Sequence, residues 1–139
     1  MTDAWKDVVE AKPGHIFVDR FDGPCRFLIL RGAVSLCAYV GVPKDHPLWG
    51  MQYDDLPLQC HGGLTYSGEG GKGLPEGFGW YGWDYAHAGD FAIIPSSISL
   101  DCGDRKWTIK EVDKDSLATI DQFKKLCDLA VKVKEGANP

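Results

Sequence analysis

The chain has 139 residues, 44% hydrophobic and 25% charged, which suits one folded domain over 1–139 and excludes wholesale disorder. A formal net charge of −5 excludes a broad electrostatic grip on long nucleic acid, which needs a basic face. No apolar run is long enough for a membrane span, and Asp3, Asp7 and Glu10 stand where a secretion signal would be basic, so a cytoplasmic protein is expected.

In chain order, residues 1–12 predict a short helix with Trp5, Val8 and Val9 on its apolar face, closed by the turn signal Pro13-Gly14. A short strand over 15–18 follows, then a turn over 20–24. The apolar runs 25–30 and 34–42 predict a central hairpin. Residues 43–57 read as a long polar loop, of the kind that often covers a site. A strand is expected over 58–67, bent at Gly62-Gly63, and another over 78–85, with irregular chain over 68–77 between them. Short strands are expected over 98–102 and 107–112. The last element reads as an amphipathic helix, its stripe formed by Leu117, Ile120, Phe123, Leu126, Ala130 and Val133, starting near Asp115, Ser116 or Thr119. The fold class is α+β, an antiparallel-rich sheet with the C-terminal helix packed on it. Five cysteines without a Cys-x-x-Cys pair read as reduced thiols, not as a disulfide framework or a zinc ribbon.

Chemistry concentrates between His61 and Asp90, where ten of the 17 glycines lie together with Tyr66, Trp80, Tyr81, Trp83 and Tyr85. Asp84-x-x-His87-x-x-Asp90 puts three acid–base groups within one short run. If 58–67 pairs with 78–85 as a wide hairpin, early residues of the first oppose late residues of the second, and His61 meets Asp84 and His87. His61, Asp84 and His87 are thus the candidate catalytic groups, a His base with a carboxylate orienter. Two His and one or two Asp could also hold a divalent ion, though the spacing matches no specific metal motif, and no metal ligand is assigned.

In an extended 78–85, Trp80, Gly82 and Asp84 face one side and Tyr81, Trp83 and Tyr85 the other. One face should be core, which leaves aromatics on the other to stack a flat ring. Tyr66, Trp83 and Trp49 are the candidate stacking residues, Asp90 a polar ligand contact, and Lys72 or Arg31 an anion contact. Gly68-x-Gly70-x-x-Gly73 has the letters of a dinucleotide fingerprint, but Leu74-Pro75 follows in place of a helix. Lys72 precedes Gly73, not Ser or Thr, so it is no Walker loop either. A flap or a plain hairpin tip is the expectation. Cys60 and His61 are adjacent and would point to opposite faces, a poor nucleophile–base pair.

The segments 37–47 (CAYVGVPKDHP), 61–67 (HGGLTYS) and 82–90 (GWDYAHAGD) resemble those of a group of small phage and prophage proteins. The resemblance implies a phage-encoded accessory protein in the host cytoplasm, with an anti-defence role by association. Together with the residues, it leads to three expectations. The first is a protein that binds, with or without hydrolysing it, a nucleotide or nucleotide-derived small ligand. The second is an inhibitor that binds a host protein and has no small-molecule site, and the third is a metal-dependent hydrolase. Each is compatible with an oligomer.

Overall fold

The computed structural model describes residues 3–136 apart from 45, 47, 57, 72, 88 and 94–104, with side chains described from 5 to 126. Helix α1 (Asp3–Glu10) is followed by strands β1 (Ile16–Asp22), β2 (Cys25–Arg31) and β3 (Leu36–Pro43). A single 3-10 turn, Tyr53–Asp55, lies in the long connection to β4 (Tyr66–Gly71) and β5 (Leu74–Asp84), and helix α2 (Ile109–Gly136) closes the chain. The five strands form one antiparallel sheet in the order β1-β2-β3-β5-β4, so the fold is α+β as expected.

The apolar runs of β2 and β3 make the expected hairpin, with Leu28 opposite Tyr39 and Leu30 opposite Cys37. α2 packs on their inner face. Cys25, Phe27, Ile29, Ala38 and Val40 meet Val112, Ile120 and Phe123 there in the main core. β5 carries the expected alternation. Tyr81 and Trp83 enter that main core, while Trp80 enters a smaller one on the opposite face with Leu28, Leu30 and Leu74. Neither Trp ring is more than 2% exposed, and burying an aromatic of this size contributes a few kcal/mol.

Charge pairs lock the layers together. The Arg20 guanidinium of β1 grips Asp113 of α2 with two parallel bonds, of 2.8 and 2.7 Å, and lies over the Phe27 ring. Arg31, an anion contact in the sequence reading, is 4% exposed. Its Nε donates to Val8 O of α1 at 2.8 Å and its Nη1 to Gly32 O, so this buried cation is committed to tying α1 to the sheet.

Several local expectations are corrected. Residues 107–112 are not a strand: Thr108 Oγ1 accepts from Glu111 N at 3.3 Å while the Glu111 carboxylate accepts from Thr108 N at 3.0 Å. This capping box starts α2 well ahead of Asp115, and its inner face runs Val112, Ser116, Thr119, Ile120, Phe123. Leu117 is 54% exposed, outside that stripe, and the side chains of Ala130 and Val133 lie outside the described residues. Residues 68–71 and 74–77 are strand, because positive φ at Gly71 (113°) and Gly73 (97°) lets β4 and β5 pair as a hairpin. Of 58–67, only Tyr66 and Ser67 are strand. The 98–102 strand lies outside the described residues.

Candidate functional site

Past the end of β5, Asp90 N closes a turn by donating to His87 O at 2.9 Å. The turn returns the Asp90 carboxylate inward, 9% exposed as a residue. The loop before β4 comes alongside. The register Tyr66↔Gly82, if continued, would set His61 against His87, but positive φ at Gly62 (70°) and Gly63 (83°) curls the chain there instead. Gly63 N closes this turn onto Cys60 O at 3.0 Å. A third segment, 105–107, reaches the same place through backbone bonds between Arg105 and both Gly89 and Phe91.

Asp90 is the hub of these segments. Its Oδ2 accepts from His61 Nε2 at 2.5 Å and from His87 N at 3.0 Å, and its Oδ1 accepts from Trp107 Nε1 at 2.8 Å. Burial alone would favour the neutral acid. The bonds from His61, the His87 amide and Trp107 outweigh it and hold the carboxyl below its usual range. An ionised Asp90 has no proton to give, so His61 Nε2 carries the shared hydrogen. That leaves Nδ1 without a hydrogen-bond partner among the described residues.

Aromatic rings fix the His61 plane. Tyr85 stacks on it, with centroids 4.6 Å apart and planes 11° apart, and Trp107 meets it edge-on at 4.9 Å. Tyr85 donates from its hydroxyl to Asp115 Oδ2 at 2.8 Å and accepts from Trp83 Nε1 at 3.2 Å. Burial pushes the Tyr85 phenol well above its usual range. His87 stands 5.8 Å from His61, ring to ring. Its Nε2 lies 3.2 Å from Asp84 Oδ1 without hydrogen-bond geometry, and is buried with no hydrogen-bond partner among the described residues. Asp84 Oδ1 instead accepts from Ala86 N at 3.1 Å.

Beside this cluster lies a cleft of about 480 Å³, lined by Arg105, Trp107, Glu111, Lys114 and Asp115. Trp107 and Asp115 belong to both. The Arg105 guanidinium covers the Trp107 ring at 3.5 Å and pairs with Glu111 at 3.3 Å. Stacking on a ring holds an Arg in place while leaving its edge N–H groups able to meet an anion.

His61, Asp84, His87 and Asp90 are therefore brought together, and the others are not. Trp83 is a core residue, 2% exposed, and has no face free to stack a ligand. Tyr66 sits on the opposite face of the sheet, edge-on to Tyr39. Trp49 packs over Gly79 in a separate cleft. Lys72 lies outside the described residues. Sequence reasoning missed Trp107, Arg105 and Asp115 as site residues, because 107–112 was read as a strand of its own. The one signal for them was Thr108-x-x-Glu111, which turns the segment into a helix start. Among the described residues, no group of three or more His, Cys, Asp or Glu is placed to hold a metal ion. Burial pushes the Cys60 thiol up to about 11, consistent with its being a poor nucleophile. No family model matches the chain, and neither a curated protein nor a solved structure does.

Proposed function

We propose that the protein binds a small nucleotide-like ligand in the cleft beside Trp107, with His61, whose ring packs edge-on against Trp107, as the acid–base group. The observation that carries this reading is the triply bonded, buried Asp90 holding His61 by Nε2. A carboxylate used in this way fixes the tautomer and plane of an imidazole and favours its protonated form in a transition state. Arg105 and Lys114 supply cationic contacts for phosphate, and Glu111 and Asp115 accept from ribose hydroxyls or base amines. Proton removal by His61 Nδ1 from a water would support hydrolysis of a phosphate ester. Capture without turnover needs only the cleft. The resemblance to phage proteins fits an accessory role in which a nucleotide signal of the host is sequestered or destroyed.

The test is incubation of the purified protein with cyclic and linear nucleotides, followed by heat release and chromatography. Conversion that is lost in His61→Ala supports hydrolysis, and intact ligand released only from protein with an unaltered cleft supports capture. The reading fails if no nucleotide binds, or if Arg105→Ala and Lys114→Ala bind as the parent does.

A further inference from the structure

The sheet has two edges, and their charges are treated differently. On β1, Asp19 is paired with Arg26, Arg20 with Asp113 and Asp22 with Lys124. At the β4 end stand four exposed carboxylates: Glu69 on β4, Glu76 on β5, and Asp54 and Asp55 in the 3-10 turn. That turn is held against β4 by Tyr53 N, which donates to Ser67 Oγ at 3.1 Å. Among the described residues none of the four carboxylates has an ion-pair partner.

β4 itself pairs only with β5. Three of its residues, Gly68, Gly70 and Gly71, have no side chain with which to obstruct an approaching backbone. Exposed edges are usually blunted by a lysine, a proline or a covering loop. Among its described residues β4 has no lysine and no proline, and its backbone makes no bond to a covering segment. Beside Ser67, Gly68 and Glu69 a second cleft, of about 230 Å³, opens between the strand and Trp49, Gly50, Met51 and Gln52. Its volume suits one long side chain. Trp49 and Glu69 both line it, an aromatic and an acidic residue together, which is the pairing that suits a Lys or Arg head.

We infer that the β4 edge takes up an extended, basic peptide segment of a partner protein as an added strand, one of whose Lys or Arg side chains enters the cleft between Trp49 and Glu69. Backbone bonds to β4 supply affinity without sequence preference, and alternate side chains of the added strand supply the choice. The carboxylates at this end favour a positively charged segment and speed its encounter. This surface is separate from the His61 cluster, and either assignment stands without the other.

The experiment is an amide-shift titration of the isotope-labelled full chain with two short peptides, one alternating lysine and threonine, the other alternating glutamate and threonine. The lysine peptide is expected to shift β4 amides and the Trp49 indole in a saturable way that weakens as salt is raised, and the glutamate peptide to leave them unmoved. Glu69→Lys should weaken the lysine peptide by about tenfold with the thermal unfolding curve unchanged. Glu69→Gln should act in the same direction and to a smaller degree, which guards against a folding defect in the charge reversal. The inference is overturned by equal binding of both peptides, by no binding of either, or by shifts centred on α2. It is also overturned if the β4 shifts grow with protein concentration alone, which would make the edge a contact between copies of this chain.

Discussion

Gly62 lies so close to His87 that a Cβ built on it would fall 2.1 Å from the imidazole Nε2. Its φ of 70° is also one that L side chains rarely adopt. The loop before β4 thus closes over His87 at a position only glycine fits, which is how His61 comes within reach of Asp90. Gly62→Ala should destabilise the fold by about 1–3 kcal/mol through backbone strain and displacement of His87. Urea unfolding measures the loss, and the ring resonances of His61 and His87 should shift in the folded variant. Unmoved resonances and unchanged stability would refute the close approach.

Asp90→Ala removes the acceptor for Trp107 Nε1, the His87 amide and His61 Nε2 at once. Leaving buried donors unpaired should cost about 1–3 kcal/mol at neutral pH. The folded-state carboxyl is held low, so its contribution is complete above the unfolded carboxyl value, about 3.9, and is lost as pH falls through the lower folded value. Parent stability should therefore decline in acid more steeply than that of Asp90→Asn. Chemical unfolding followed across the acidic range checks this. Parallel curves for the two proteins would show that the fold does not hold the Asp90 carboxyl below its unfolded value.

Arg20 and Asp113 join β1 to α2 with a bidentate pair, both side chains about a third exposed (36% and 31%). A double-mutant cycle of Arg20→Ala and Asp113→Ala should give a coupling of about 1 kcal/mol, screened as salt is added. A coupling of zero at low salt would mean that solvent takes over the pair without loss.

The Tyr81 hydroxyl sits 2.6 Å from Leu48 O and 2.9 Å from Met51 O, pinning the loop that walls the smaller cleft. Tyr81→Phe should cost about 1 kcal/mol, because it removes the single hydroxyl hydrogen that the two carbonyls share. Amide exchange at 49–51 should speed up while α2 keeps its protection. Uniform acceleration through the chain would point to global destabilisation instead.

Much of the architecture was legible because hydrophobic period reports burial directly. β2 and β3 read as apolar runs, the alternation in β5 assigned Trp80 and Trp83 to opposite faces, and the α2 stripe was found from Ile120 and Phe123. Glycine was the main source of error. Read as a breaker, the run after Ser67 hid a β-hairpin, and the local string gave no sign of whether its glycines were in flexible chain or in a tight turn. The cluster of His61, Asp84, His87 and Asp90 was approached through an assumed strand pairing. The chain does not pair there, and its curl at Gly62 brings the same side chains together by another path. Trp107 and Arg105 could not be placed, because their position depends on bonds to Gly89 and Phe91 that no local pattern encodes.

The bonds at Asp90 span 29 residues to His61 and 17 to Trp107. Closing such loops costs entropy that no local segment recovers, so the cluster forms only once sheet and helix hold its three strands of chain in place. A single cleavage of the backbone between 61 and 107 that lets the pieces separate must therefore abolish it, and no excised peptide can inherit it. A ligand bound at the cluster would draw on the whole molecule's stability, and if tight it would raise the unfolding temperature of the entire chain.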